Sequence, residues 1–401
     1  MALPPGYPVG VTIPNRGPES ASARVRGELD LDALRAGVGG ALLADIDRAV
    51  AWDVPLRTSF RGLTRRDGVL LHGPAGWGEV APFWDYDADA AAPWLAAALE
   101  QATVGNADLP RLRETIPVNI TVPAVDPDRA RALIAEAGSA AGPARHAVAP
   151  PSALPVTVKV KVAGARVSDR QGLAADLERI EAVRDAIGPH GRIRIDVNGA
   201  WDLETARRIL PLMDAAAQGL EYVEQPCGST QALADLRRLV DIPIAADESI
   251  RLAADPLAVA RLDAADVAVL KVAPLGGARR ALALAERLGL PAVVSSAIDT
   301  SVGIGAGVAL AAALPGLKHA CGLGTVRLLA RDVAAPAAIP ADGALPVRPV
   351  HVSRALLRTA AADAELTARW QLRLSHITAA LQRRRERESA HPSSAVAGLP
   401  L

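Results

Sequence analysis

Short β-branched runs that each end in a charged residue recur through the middle of this 401-residue chain. Five of these runs lie between residues 156 and 271, and they end at Lys161, Asp196, Glu224, Asp247 and Lys271. Successive charged residues are 23 to 35 positions apart, which is enough for one strand, one helix and two short loops. In a closed parallel barrel the C-terminal ends of all strands meet at one end. The sequence therefore predicts that these five side chains converge.

Three further apolar runs complete a predicted barrel of eight strands. One precedes the five at residues 116–122, and two follow at residues 291–296 and 317–322. Ahead of the barrel, strand-like segments from Trp52 to Pro82 and a helical stretch from Asp89 to Ala102 indicate a small α+β unit. The predicted fold class is therefore α/β, a TIM-like (β/α)7β barrel with an α+β capping domain.

The predicted organisation has five parts. Residues 1–47 form a partly disordered extension. A helical region predicted at 29–51, which overlaps the start of the next part, is broken by the glycines of residues 37–40. Residues 48–113 form the first part of the capping domain, and residues 114–325 form the barrel, with a surface insertion at 137–155. Residues 326–381 pack on cap and barrel and include one helix from Arg354 to about Leu381. Residues 382–401 are a disordered tail.

Composition argues against several kinds of partner. Lys+Arg and Asp+Glu are both 44, and this balance disfavours nucleic acid or an anionic membrane. No signal peptide is predicted, and the longest apolar run, residues 303–317, is too short to span a bilayer and suits a buried helix. The two cysteines, Cys227 and Cys321, show no disulfide framework. We expect a cytoplasmic protein, with a monomer favoured, that binds a small-molecule carboxylate.

Three of the converging residues are carboxylates on consecutive predicted strands: Asp196, Glu224 and Asp247. Oxygen donors suit Mg²⁺ better than zinc, which prefers histidine and cysteine ligands. Each carboxylate alone could instead cap the following helix or pair with an arginine. Three of them at corresponding strand ends favour a Mg²⁺ site.

The lysines predict a base. Lys159 and Lys161 are two positions apart and therefore share one face of their strand. Burial and a neighbouring ammonium group both lower the pKa of a lysine, which makes it a usable base near neutral pH. Lys271 would lie on the opposite side of the metal. These parts suit removal of a proton α to a carboxylate, with the metal stabilising the enediolate. Lys159 could instead be an ordinary exposed lysine.

Five motifs, in their order along the chain, resemble those of the enolase superfamily: Lys159-Val160-Lys161, Asp196-Val197-Asn198, Glu224-Gln225-Pro226, Asp247-Glu248-Ser249 and the distal Lys271. That superfamily is already known for a lysine or histidine base that works with Mg²⁺. The resemblance covers roughly residues 54–374. Further stretches, at residues 56–62, 76–79, 194–201 and 322–325, are most similar to a dehydratase subgroup of menaquinone biosynthesis.

This resemblance implies a reaction and a set of roles. The reaction is Mg²⁺-dependent syn-dehydration of 2-succinyl-6-hydroxy-2,4-cyclohexadiene-1-carboxylate. Lys161 would remove the α-proton and return it to the departing hydroxyl group, Lys271 would stabilise the enediolate, and Lys159 would tune Lys161. Asp196, Glu224 and Asp247 would hold Mg²⁺. Substrate-binding positions are expected at Ser295, Ser296, Gly322, Gly324, Asn198 and Arg194, although the two serines could equally cap a helix.

The same scaffold leaves other reactions open. N-succinylamino acid racemases and dipeptide epimerases also place lysines on both faces of the metal, and a muconate cycloisomerase is a third possibility. A barrel without catalytic activity would be marked by loss of a ligand or of the base, and all five groups are present. Residues 303–307 lack the GxGxxG spacing of a dinucleotide-binding loop.

Overall fold

The described part of the chain comprises residues 26–138, 156–162 and 170–390 of a computed structural model. Three predictions lie wholly or largely outside the described residues: disorder in residues 1–25, most of the insertion at 137–155, and disorder in residues 391–401. The described residues form an antiparallel sheet with its helix, a parallel barrel, and a C-terminal segment that returns to the first sheet.

The capping unit is a three-stranded antiparallel sheet covered by one helix. A short helix, α1 (Leu31–Arg35), and a 3₁₀ turn (Gly40–Leu43) precede it. The sheet contains β1 (Arg48–Phe60), β2 (Leu63–Gly73) and β3 (Gly76–Val80), followed by α2 (Ala88–Thr103). Arg61 and Gly62 form the β1–β2 turn with positive φ angles, which match the twist of a tight hairpin. Trp52 on β1 and Trp94 on α2 lie in the hydrophobic core.

Seven parallel strands form most of the barrel, and each pairs with the next along the chain. After β4 (Thr115–Pro117), they are β5 (Ile120–Val122), β6 (Thr157–Lys161), β7 (Arg192–Asp196), β8 (Leu220–Glu224), β9 (Ile244–Ala246), β10 (Val267–Lys271) and β11 (Ala292–Ser295). The helices are α3 (Pro127–Gly138), α4 (Arg170–Ile187), α5 (Leu203–Ala217), α6 (Thr230–Arg237), α7 (Glu248–Arg251), α8 (Ala258–Arg261), α9 (Val272–Leu275), α10 (Ala278–Leu288) and α11 (Ser301–Ala313). Strands β9, β10 and β11 are nearly continuous apolar runs because both of their faces are covered, whereas β6 and β7 alternate apolar residues with polar or charged ones.

Two residues close the barrel. Cys321 and Gly322 form parallel bridges to Val118 and to Ser295, and so join the first side of the barrel to the seventh strand. The amide of Cys321 donates to the Pro117 carbonyl at 2.7 Å. The predicted TIM-like barrel with its cap is thus confirmed. The predicted eighth strand at 317–322 is reduced to these two bridging residues, and a 3₁₀ helix (Thr325–Leu328) begins directly after Gly324.

The predicted first strand at residues 116–122 is in fact two strands. β4 pairs antiparallel with β12 (Ala344–Pro346), whereas β5 pairs parallel with β6. Between β4 and β5, the amide of Val118 donates to Gly343 and the amide of Asn119 donates to Cys321. The strand is therefore divided because successive amides bond to different partners.

Three predicted helix boundaries need correction. The helical pieces of residues 29–51 are separated at the glycines as predicted, but β1 already begins at Arg48. The single helix predicted from Arg354 is two helices, α12 (Arg354–Ala360) and α13 (Ala364–Ala390). The predicted helix end near Leu381 and the predicted disorder of residues 382–390 are both wrong, because α13 continues to Ala390. Near this end Glu388 is buried against Arg280 of α10.

The glycine- and alanine-rich run at residues 303–317 was predicted as a buried helix, and α11 confirms this over most of its length. Within the described ranges, no helix combines the length and the apolar character needed to cross a bilayer.

The buried end of α13 gives the first testable prediction. Glu388→Ala should lower the free energy of unfolding by about 3 kcal/mol, because it leaves the Arg280 guanidinium buried without its carboxylate partner. Urea unfolding followed by circular dichroism measures the change. Glu386→Ala, on the exposed side of the same helix, is the control and should change stability little. Equal effects of the two substitutions would contradict a buried role for Glu388.

Candidate active site

The strand register brings the predicted chemical residues together. Lys161 is the register partner of Asp196, and Asp196 is the partner of Glu224. Asp247 directly follows β9, and Lys271 ends β10. Because neighbouring parallel strands end at the same level, these residues lie side by side at the C-terminal end of the barrel.

Salt bridges hold the cluster together. The Nζ of Lys159 lies 2.8 Å from the Oδ2 of Asp196 and 2.6 Å from the Oε1 of Glu224. The Nζ of Lys161 lies 2.5 Å from the same Asp196 oxygen. On the other flank, the Nζ of Lys271 lies 2.5 Å from the Oδ2 of Asp247. The three carboxylates are at most 1% exposed, so each must be compensated by nearby positive charge.

The electrostatics differ among the three carboxylates. Burial alone would raise the pKa of Asp196, but Lys159 and Lys161 hold it well below its usual range. Asp247 is likewise buried, yet Lys271 and Arg251 lower its pKa to about 2. Burial and the negative charge of Asp196 instead raise the pKa of Glu224 to about 7. Glu224 is therefore the carboxylate whose charge is compensated least.

The two lysines of β6 also differ. Burial would lower the pKa of Lys159, but the charges of Asp196 and Glu224 raise it well above its usual range. Burial and the neighbouring ammonium group of Lys159 lower the pKa of Lys161, despite its contact with Asp196. A lowered pKa is what a lysine needs to act as a base.

The donor set fits a divalent cation. Among the described residues, no three histidine, cysteine, aspartate or glutamate side chains already have the mutual geometry of a metal site, and lysine ammonium groups lie between the carboxylates. Three buried carboxylates on adjacent strands nevertheless supply the oxygen ligands that Mg²⁺ prefers. The raised pKa of Glu224 indicates that a further positive charge would be accommodated beside it.

Four of the six predicted substrate-binding residues line the pocket above this cluster: Asn198, Ser295, Ser296 and Gly322. The Ser296 hydroxyl lies 2.6 Å from the carbonyl oxygen of Gly322. Ser295 and Ser296 do not cap α11, since that helix begins at Ser301 and its N-cap is Thr300, whose side chain accepts from the Val302 amide. The helix-capping alternative for the two serines is therefore wrong.

The other two residues lie elsewhere. Arg194 is on the same strand face as Asp196 but one layer deeper, with no exposed surface, and it donates to the Ala320 carbonyl at 2.7 Å. It therefore ties β7 to the closing segment of the barrel. Gly324 packs against the backbone of Asn119 and lines a separate groove, together with residues of β5 and the start of β6.

Several residues of the pocket were not predicted. The cap contributes Phe60, Arg61, Phe83, Tyr86 and Trp94, and the barrel adds Arg251, among others. Arg251 could have been found, because it follows Asp247 by four positions in a short helix and so faces the same way. Phe60 and Arg61 lie in the stretch 56–62 that resembles the dehydratase subgroup, but Phe83, Tyr86 and Trp94 carry no such signal, since their distance from the barrel motifs in the sequence hides their proximity.

A second missed signal lies in the basic residues themselves. Of the 44 lysine and arginine residues in the chain, 40 are arginines and only four are lysines. Three of the four lysines lie in this cluster, and the fourth, Lys318, is exposed. Arginine remains protonated even when buried, whereas the pKa of a buried lysine shifts readily. The use of lysine is thus confined almost entirely to the place where a proton could be exchanged.

Comparison with known proteins agrees with this geometry. Residues 51–102 match the family described as Enolase N-terminal domain-like, and residues 153–350 match Enolase C-terminal domain-like. Among solved structures, muconate lactonizing enzyme from Pseudomonas fluorescens has a TM-score of 0.62 at 23% identity and covers 78% of this chain and 98% of that chain. The L-Ala-D/L-Glu epimerase from Bacillus subtilis has a TM-score of 0.60 at 21% identity, over 76% and 96%. Fold and site thus define an enzyme of the enolase superfamily.

Relatives with higher sequence identity show to which family within this superfamily the chain belongs. The o-succinylbenzoate synthase of Thermobifida fusca (strain YX) is 52% identical over 331 residues, which is 82% of this chain and 96% of the relative. That of Mycobacterium ulcerans (strain Agy99) is 45% identical over 347 residues, or 86% and 98%. The chain belongs to the o-succinylbenzoate synthase family, and it is a lyase.

The unequal carboxylates give the second prediction. The raised pKa of Glu224 means that its favourable contribution to stability is present below pH 4.5 and is lost as the pH rises through 7. In EDTA-treated protein, Glu224→Gln should therefore raise the free energy of unfolding by about 2 kcal/mol at pH 8, and by less at pH 5. Urea unfolding at both pH values measures this difference.

Glu221, on the same strand, provides a control of opposite sign. Its burial is outweighed by His319 and Arg194, which lower its pKa to about 2, so its ionised form stabilises the fold above pH 4.5. Glu221→Gln should therefore destabilise the protein at both pH values. A loss of stability in Glu224→Gln at pH 8 would show that Glu224 is well compensated without a metal.

Proposed function

We propose that this enzyme catalyses the Mg²⁺-dependent syn-dehydration of 2-succinyl-6-hydroxy-2,4-cyclohexadiene-1-carboxylate to o-succinylbenzoate, a step in menaquinone biosynthesis. The proposal is supported by the names of relatives that cover most of the chain. The observation that carries the choice of reaction is the 52% and 45% identity to these relatives. Lys161 beside Asp196 and Lys271 beside Asp247 supply the base and the opposite cation that the reaction needs.

In the proposed reaction Lys161 is the base. Its ammonium group contacts Asp196 and lies 2.6 Å from the Oδ1 of Asn198, so the side chain is held at the edge of the pocket. In its neutral form the amine takes the proton from C1 of the ring. The same group then returns this proton to the hydroxyl that leaves C6 as water, and a third ring double bond forms. One group serves both steps because the proton and the hydroxyl leave from the same face.

The developing negative charge must be stabilised. Asp196, Glu224 and Asp247 would hold Mg²⁺, which when bound supplies positive charge to the substrate carboxylate and so makes its α-proton more acidic. Lys271 adds a cation on the flank opposite Lys161. Lys159, held between Asp196 and Glu224, favours the ionised form of both carboxylates and disfavours a second charge on Lys161.

The rest of the pocket would bind and enclose the substrate. Ser295, Ser296 and Gly322 form a polar wall suited to the succinyl carboxylate. Phe60 is buried, and its ring centroid lies 5.7 Å from the Nζ of Lys161, so it shields the amine from water. Arg61 stacks on Phe83 at the pocket wall and adds a positive charge for the anionic substrate.

We also propose that the enzyme is cytoplasmic and works as a monomer, without a nucleic-acid or membrane partner. The balance of 44 basic and 44 acidic residues supports the absence of such partners, since neither nucleic acid nor an anionic membrane would be attracted to the chain as a whole.

An alternative activity on the same site is racemisation of N-succinylamino acids or epimerisation of dipeptides. It is favoured by one observation, the lysines on both flanks, because such reactions need a base on each face of the substrate.

The third prediction tests the roles of the lysines. Lys161→Ala and Lys271→Ala should each lower kcat by about 10²- to 10⁴-fold, the usual contribution of a positioned proton-transfer or charge-stabilising group. Loss of the cyclohexadiene absorbance with purified protein and Mg²⁺ measures turnover. Lys318→Ala, which changes the exposed lysine outside the site, is the control and should retain activity. A wild-type enzyme that is inert here but exchanges the α-proton of N-succinylamino acids in D₂O would establish the alternative.

The fourth prediction concerns pH. Since the pKa of Lys161 is lowered, kcat/KM should rise with pH along a limb whose midpoint is below the ordinary lysine value of about 10.4. Lys159→Gln removes the neighbouring ammonium group and should move this limb to higher pH. The pH dependence of kcat/KM, measured for the wild type and for Lys159→Gln, tests this shift. A limb that stays in place or moves downward would show that Lys159 does not tune Lys161.

A further inference from the structure

Arg251 contacts three groups, which lie in the carboxylate cluster, in its own short helix and in the cap. It lies at the end of α7, and its side chain is only 4% exposed. Its Nε is 2.9 Å from the Oδ1 of Asp247, and its Nη2 pairs with Glu248. It lines the same pocket as Lys161 and Lys271.

The first group of contacts connects Arg251, through Asp247, to Lys271. Arg251 occupies one carboxylate oxygen of Asp247, and the Nζ of Lys271 contacts the other at 2.5 Å. The two cations thus fix the plane of this carboxylate between them. Asp247 is one of the three proposed Mg²⁺ ligands, so its orientation is set by groups on both sides.

The second group of contacts connects Arg251, through Glu248 and Asn198, to Lys161. The Oε1 of Glu248, which accepts from Arg251, also accepts from the Nδ2 of Asn198 at 3.2 Å. The Oδ1 of Asn198 in turn accepts from Lys161 at 2.6 Å. Hydrogen bonds therefore run without interruption from Arg251 to the proposed base.

The third group of contacts reaches the cap. The Nη1 of Arg251 donates to the Oη of Tyr86 at 2.6 Å. Tyr86 lies between β3 and α2, and its ring packs edge-on against Phe83 and Trp94, with centroids 6.1 Å apart in both cases. A displacement of the cap would therefore move the partner of Arg251.

We infer that Arg251 is a positioning residue through which Tyr86 of the cap sets the orientation of Asp247 and, through Glu248, of the Lys161 flank. The inference rests on the proposed function, in which Asp247 holds Mg²⁺. A guanidinium suits this role because its planar fork donates in three directions at once and keeps its charge. The compact ammonium group of a lysine could not reach the three partners together. Groups that orient metal ligands commonly contribute 10- to 100-fold in metal affinity or activity.

Two conservative substitutions test the inference. Tyr86→Phe keeps the packed ring and removes only the oxygen, and Arg251→Lys keeps the charge and removes the fork. Gln101→Met is the matched control, because the Nε2 of Gln101 makes another cap–barrel hydrogen bond, to the Val302 carbonyl at 2.8 Å. Mg²⁺ binding to the EDTA-treated full chain is measured by titration calorimetry without substrate, and kcat and KM are measured separately.

We expect Arg251→Lys to weaken Mg²⁺ binding by about 10- to 100-fold. Tyr86→Phe should weaken it by about 2- to 12-fold, the range for loss of one hydrogen bond. Both should lower kcat more than they raise KM, and Gln101→Met should bind Mg²⁺ as the wild type does. If the Tyr86 and Arg251 variants lose only thermal stability, Arg251 is a packing residue and the inference is wrong. If Gln101→Met is equally impaired, any loosening of the cap suffices, and the path through Arg251 is wrong.

The same experiment separates this inference from the proposed function. A wild type that binds Mg²⁺ but does not dehydrate the cyclohexadiene substrate contradicts the proposed function, while the order of Mg²⁺ affinities still decides the role of Arg251. A wild type that binds no Mg²⁺ contradicts both.

Discussion

Three carboxylates buried side by side at the end of a barrel cannot all be ionised unless positive charge is placed among them. Here lysines supply most of it, with Lys159 between Asp196 and Glu224 and Lys271 against Asp247. The compensation is uneven: the pKa of Asp247 falls to about 2 and that of Glu224 rises to about 7. The residual need for a cation and the availability of a base are thus two consequences of one buried charge cluster.

The chain separates structural from chemical positive charge by residue type. Arginine makes the buried ion pairs that hold elements together, such as Arg194 with Glu221 inside the barrel and Arg280 with Glu388 at the end of α13. Lysine is almost confined to the active site. The physical reason is that a guanidinium keeps its proton and donates in fixed directions, whereas the pKa of an amine responds to burial and to its neighbours.

The cap is part of the active site as well as a cover for it. Glu79 of β3 accepts from the amides of Thr300 and Gly303 at the start of α11, and Arg66 of β2 donates to the Ala297 carbonyl in the pocket wall. Tyr86 adds the contact to Arg251. Cap and barrel are therefore joined by buried polar contacts at the rim of the pocket, where a small displacement would alter the wall that faces the substrate.

The sequence alone determined the barrel and the side chains at its C-terminal end, because strands have a period of two and parallel strands end together. The sequence did not determine how far a side chain lies from solvent. Arg194 shares a strand face with Asp196 yet lies one layer below the pocket. The alternation of residues along a strand specifies the face of a side chain and not its distance from solvent. The sequence also did not determine the division of residues 116–122 or the helical end of α13, which depend on distant partners. Only the tertiary structure brought Tyr86 and the other cap residues to the carboxylates, because contacts between segments more than 100 residues apart leave no local pattern in the sequence.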